Sequence, residues 1–96
     1  MAAYMVIRAI IHDRDAFISG YGPAAGKLSA EFGGEYLVRA PGLTVLEGDL
    51  PPGGSMVISK WPSKEAALKF WHSPEYAEVK KLREGIADCD VLLIEE

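Results

Sequence analysis

The sequence holds one cysteine, Cys89, so no disulfide can form within the chain. A chain of this kind suits a reducing compartment. No apolar run approaches the roughly 18 residues that a membrane span requires. The opening residues lack the basic cluster that precedes the apolar stretch of a secretory leader. Together these absences set the expectation of a cytoplasmic protein without membrane contact. Basic residues are also scarce: Lys and Arg total 10 against 14 Asp and Glu, giving a net charge of −4. The densest basic group, Lys80, Lys81 and Arg83, is interleaved with Glu78 and Glu84. A phosphate backbone would meet mild repulsion there, so nucleic acid is not an expected partner. His12, His72 and Cys89 make no ligand spacing, and no metal is expected. Nothing in the sequence calls for a cofactor.

What is present fits a single domain over residues 1–96. Hydrophobic residues make up 49% of the chain, too many for a disordered one. Tyr4 to Ile11 is almost wholly apolar and β-branched, as a central strand covered on both faces would be. Arg8 is the exception and shares a face with Tyr4, Val6 and Ile10. Asp13 is placed to cap a helix, with Asp15 in its first turn. Phe17, Tyr21, Ala25, Leu28 and Phe32 recur at helical spacing and predict one buried face. Gly20, Gly22 and Pro23 interrupt that pattern without shifting its phase, which predicts one helix bent near Gly22. Gly33-Gly34 ends it.

Residues 35–40 read as a second strand, 43–47 as a further extended piece and 55–61 as a third strand. Ser63 and Ser73 are each placed to cap a helix, the second with Pro74 at its first position. Val91 to Ile94 reads as the last strand. The order β-α-β-β-α-β predicts an α+β, ferredoxin-like domain: a four-stranded antiparallel sheet with its helices on one face. Apolar residues on both faces of the first and last strands leave the other face needing cover. A second copy of the sheet is the simplest one.

Several segments carry a family resemblance. They are Asp13 after the first strand, residues 33–39 (Gly-Gly-Glu-Tyr-Leu-Val-Arg), Leu46-Glu47-Gly48 and Trp61-Pro62-Ser63. Residues 70–76 (Phe-Trp-His-Ser-Pro-Glu-Tyr) and Arg83 complete the set. On these the chain resembles the family catalogued as domain of unknown function 1330, within the dimeric α/β-barrel superfamily. The resemblance implies a homodimer and the same fold, with Arg39 and Glu47 typical of the family. It implies no settled activity.

The candidate site residues each have two readings. Arg39 and Glu47 lie beside the second strand, either at the rim of a pocket, where Arg39 grips a carboxylate, or as a structural ion pair. Arg8, in an apolar strand, needs a partner such as Glu47 or an outlet to water. His12 follows a strand end, where a base could serve a site, but a histidine there is as readily a solvated end residue. Tyr21, at the helix break, is a candidate proton donor. Tyr21, Trp61, Phe70, Trp71 and Tyr76 are candidates for the wall of an apolar pocket, while aromatics at this spacing more often build cores, the reading favoured for Phe70 and Tyr76. The leading expectation is a homodimeric small-molecule-binding domain using Arg8, Arg39, Glu47, Trp61 and Trp71. The alternative is a cofactor-free enzyme, monooxygenase, isomerase or dehydratase in type, acting on a small aromatic or lactone-like substrate with His12, Tyr21 and Arg39 as its catalytic set.

Overall fold

Strand β1 (Ala3–Ile11) opens the fold, and a helical run from Arg14 to Glu31 follows it. That run comprises α1 (Arg14–Ala16), a π-helical segment (Phe17–Tyr21) and α2 (Gly22–Glu31). Strands β2 (Glu35–Ala40) and β3 (Ser55–Trp61) come next, then α3 (Lys64–Trp71) and α4 (Pro74–Lys80). A 3-10 turn (Lys81–Arg83) leads to the last strand, β4 (Ala87–Glu95). The structure is a computed structural model, and it describes residues 2–51 and 53–96.

The sheet order is β2-β3-β1-β4, antiparallel at every step. This is the expected ferredoxin-like plan. β2 and β4 are open edges, so one chain alone does not close into a barrel. Strand alternation gives the sheet two different faces. Odd-numbered residues of β1, β3 and β4 turn to the helices, where Ala3, Met5 and Trp61 join Leu28, Ala67, Phe70 and Tyr76 in the core. Even-numbered residues, among them Tyr4, Val6, Ile58, Leu92 and Ile94, form the other face, with Leu92 61% and Ile94 54% exposed.

Two strand boundaries differ from expectation. Residues 43–47 form no strand and belong to the connection between β2 and β3. The last strand starts at Ala87 rather than Val91. Asp88 and Asp90 hide its beginning in the sequence, yet they sit opposite Ile10 and Arg8 in the ladder. Their side chains alternate outward while Ala87, Cys89 and Val91 turn inward.

The first helix continues through the glycines and Pro23 by widening. Asp13 caps its start, accepting the Ala16 amide at 3.0 Å. Over Phe17–Tyr21 the backbone takes π geometry, and the Gly22 amide reaches back five residues to the Phe17 carbonyl. The extra residue in that turn takes up the irregularity that the sequence placed near Gly22. At the far end the Gly33 and Gly34 amides donate to Ala30 and Ser29 at 3.1 and 2.8 Å. This is a Schellman closure, and it puts Gly33 at φ +96°.

Gly34 has a separate constraint. A Cβ there would lie 2.7 Å from the indole ring of Trp61. Trp61 is 1% exposed and cannot move aside. Gly34→Ala is therefore expected to destabilise the fold by about 1–3 kcal/mol through overpacking. Gly20 has open space around its Cβ position, so Gly20→Ala should be neutral or stabilising by up to about 1 kcal/mol. Urea denaturation of both variants checks the contrast, and equal midpoints would refute it. Ser73 caps α4, accepting the Tyr76 amide at 3.0 Å and donating to the Phe70 carbonyl at 2.7 Å. Ser73→Ala loses both bonds in a buried place and should cost about 1–2 kcal/mol in the same measurement.

Candidate functional site

The layer between sheet and helices is not filled. On the sheet side the inward residues include Ala9, Ser55, Ser59 and Cys89, and on the helix side Gly22, Ala25, Gly26 and Ser29. Small residues on both layers leave a cavity of about 680 Å³. That volume lies within the roughly 300–1,000 Å³ of ordinary ligand sites. Its walls carry the rings of Phe17, Tyr36, Trp61, Phe70 and Trp71.

A polar group sits among those rings. The Tyr21 and Tyr76 hydroxyls are 2.7 Å apart and share a hydrogen bond. The π segment presents Tyr21 to this point and the cap at Ser73 starts the helix that presents Tyr76. The Arg83 guanidinium lies over the Tyr21 ring, 5.6 Å from its centroid. Its Nε is enclosed and has no hydrogen-bond partner among the described residues. Cys89 is also at the wall. Burial pushes the Tyr21 hydroxyl far above its ordinary range, and Tyr76 adds to that while Arg83 opposes it. Burial raises the Cys89 thiol too, with Arg83 again pulling the other way. Both groups therefore stay protonated near neutral pH. The tyrosine pair and the guanidinium can donate hydrogen bonds to an oxygen, while a protonated thiol is a poor nucleophile.

Of the residues singled out in the sequence, Tyr21, Arg39, Trp61 and Trp71 line this cavity. Trp61 spends its polar atom locally, donating from Nε1 to Ser59 Oγ at 2.9 Å. Arg39 lies over the Tyr36 ring, 5.3 Å from its centroid. Arg8, His12 and Glu47 are elsewhere. Arg8 is on the opposite face of the sheet, 3.6 Å from Asp90 and donating to the Pro51 carbonyl at 3.0 Å. Its acidic partner is Asp90 rather than Glu47. His12 Nε2 meets Asp88 at 2.8 Å, with both side chains largely exposed. Glu47 is exposed in the connection between β2 and β3. Among the described residues the ion pairs are Arg8–Asp90, His12–Asp88 and Lys81–Glu78, so Arg39 and Glu47 do not pair. Also among the described residues, no three His, Cys, Asp or Glu side chains gather as metal ligands would.

Sequence reasoning missed Arg83 and Arg14 at the cavity and favoured the core for Tyr76. Helical spacing gave Tyr76 to the core correctly, since it is 3% exposed, but spacing says nothing of its hydroxyl. The one available signal for Arg83 was its place among the motifs of the family resemblance.

The raised Tyr21 hydroxyl has a consequence at alkaline pH. The unfolded chain ionises this tyrosine near its ordinary value of 10.0, whereas the folded protein holds it neutral. Stability from this group is whole below pH 10 and falls as pH rises above it, because the unfolded state alone releases the proton. The expected result is a steeper alkaline loss of stability in the native protein than in Tyr21→Phe. Melting between pH 8 and 11 checks it, and parallel curves would refute it.

The comparisons with known proteins bear on the fold and the family. A structural-genomics protein of unknown function from Rhodopseudomonas palustris has the same fold, with TM-score 0.79 at 18% identity over 99% of this chain and 82% of that one. SnoaB, a cofactor-independent oxygenase from Streptomyces nogalater, matches with TM-score 0.70 at 16% identity over 99% of this chain and 92% of its own. A dimeric ferredoxin-like protein of unknown function from Bacteroides fragilis matches with TM-score 0.64 at 12% identity over 99% and 96%. No curated protein matches in sequence. No helix among the described residues is long and apolar enough to cross a membrane. The family model for DUF1330, a domain of unknown function, matches residues 2–96, and with the motifs at Gly33-Gly34, Trp61-Pro62-Ser63 and Ser73-Pro74 it shows that the chain belongs to that family.

Proposed function

We propose that this protein is a homodimeric small-molecule-binding protein whose ligand occupies the cavity between sheet and helices. The cavity itself carries the proposal: about 680 Å³, mostly apolar walls and a small convergent set of donors, Tyr21, Tyr76 and Arg83. A domain that needed only stability would gain from closing such a space, because unfilled volume costs packing energy. The dimer is supported by the open face of the sheet. Tyr4, Val6, Ile58, Leu92 and Ile94 form an apolar surface there, and β4 is an unpaired edge. The Bacteroides fragilis neighbour is described as dimeric. A lone cysteine suits a cytoplasmic setting.

A second reading, a cofactor-free enzyme, is favoured by the Tyr21–Tyr76 pair beside Arg83 and by the likeness to SnoaB. In that reading Tyr21 is the proton donor and Arg39 the anchor. His12, turned to Asp88 outside the cavity, takes no part.

Native mass spectrometry of the protein purified under mild conditions should show a dimer and a bound small molecule. A clean monomer without adducts in several preparations would count against both parts. Leu92, opposite Val6 in the ladder, tests the dimer separately. Leu92→Arg should shift sedimentation from dimer to monomer while the exposed position leaves the fold intact. A dimer unchanged by it would place the interface elsewhere.

A further inference from the structure

The chain carries 14 acidic and 10 basic residues, yet the cavity reverses that balance. Arg14, Arg39 and Arg83 line it, and among the described residues no aspartate or glutamate does. None of the three arginines belongs to an ion pair among the described residues. Two of them lie over tyrosine rings, Arg39 over Tyr36 and Arg83 over Tyr21. A guanidinium without an acidic partner keeps donors available, and its planar fork matches a carboxylate.

The three positions are not equivalent. Arg14 and Arg39 are exposed and sit at the rim, where solvation alone could satisfy them. Arg83 is half-buried over the Tyr21 ring, and its Nε is sealed without a hydrogen-bond partner among the described residues, so its terminal nitrogens are the donors left for a ligand. The adjacent Tyr21–Tyr76 hydroxyls hold each other at 2.7 Å, which uses one of their two protons and leaves one to offer outward. Facing these donors are Phe17, Phe70, Trp61 and Trp71, whose rings suit a flat conjugated body.

Taking the cavity as the binding site, as proposed above, we infer that its ligand is a planar aromatic carboxylate, with Arg83 holding the carboxylate, the Tyr21–Tyr76 pair donating its one free proton to the same group, and the ring body lying among the aromatic walls. Three unpaired arginines in a chain of net charge −4 concentrate positive potential at one opening and draw anions to it. The rim arginines admit and orient, and Arg83 anchors.

The test uses matched probes on the whole protein. Benzoate, salicylate and 2-naphthoate are each titrated beside the corresponding neutral carboxamide, by calorimetry and by amide chemical shifts. At least one carboxylate should bind tenfold or more tightly than its amide, with shifts centred on residues 21, 76 and 83. Arg83→Gln should lose tenfold or more for that carboxylate and leave the amide nearly unchanged. Arg83→Lys, which keeps the charge and loses the planar edge, should recover only part. Carboxylate and amide binding alike would overturn the anionic assignment while leaving the cavity as a binding site. No binding of any probe would overturn both. The native-protein comparison of carboxylate with amide stands even if an Arg83 variant fails to fold.

Discussion

The indole of Trp61 fixes the relation between the two layers of this fold. It ends β3, lies 1% exposed and stacks within 5.0 Å of Phe70 on α3. Its ring also fills the space where Gly34 would carry a side chain, so only a glycine lets the turn between the first helix and β2 come this close. Its only polar atom is satisfied by Ser59 on its own strand, two residues back on the same face. One side chain thereby sets the spacing of sheet, first helix and third helix at one end of the domain. Away from that end the layers are lined by alanine, serine and glycine, and the same spacing leaves an empty volume. The cavity follows from holding the layers apart with a large residue at one end and giving them small residues in the middle.

The two faces of the sheet have accordingly divided their work. The helix-facing side holds the cavity and its donors, Tyr21, Tyr76 and Arg83. The open side holds apolar β-branched and leucine side chains together with the pairs Arg8–Asp90 and His12–Asp88. Strand alternation keeps these sets apart at no cost in sequence length, since neighbouring residues such as Arg8 and Ala9, or Asp88 and Cys89, belong to different faces. The π segment does the comparable task for the first helix. A regular α-helix would carry Pro23 at the expense of a backbone bond. The widened turn meets the irregularity and presents Tyr21 to Tyr76.

Much of the architecture was legible in the chain. Asp13, Ser63 and Ser73 marked helix starts by the chemistry of their side chains, and each accepts the amide three residues on. Gly33-Gly34 marked a helix end through the backbone freedom of glycine. The beginning of β4 was not legible, because Asp88 and Asp90 break the apolar pattern on a face that solvent reaches. The site was legible only in pieces. Tyr21, Arg39, Trp61 and Trp71 were found as unusual residues in plausible places. Glu47 and Arg39 invited pairing because both lie on the second-strand side of the sheet, and the connection that leaves β2 carries Glu47 away.

Local interactions decide caps, turns and the alternation of strands, and these involve residues a few positions apart; the sequence by itself therefore determined the order of elements and the antiparallel α+β plan. The cavity is a volume left between layers, and its polar end joins Tyr21 to Tyr76 across 55 positions of chain. No local rule fixes such a distance. Whether a tyrosine hydroxyl meets a carbonyl, a water or another tyrosine, and whether Arg83 finds an acid or an empty space, depends on how far apart the packed layers stand, and only the tertiary structure decided that.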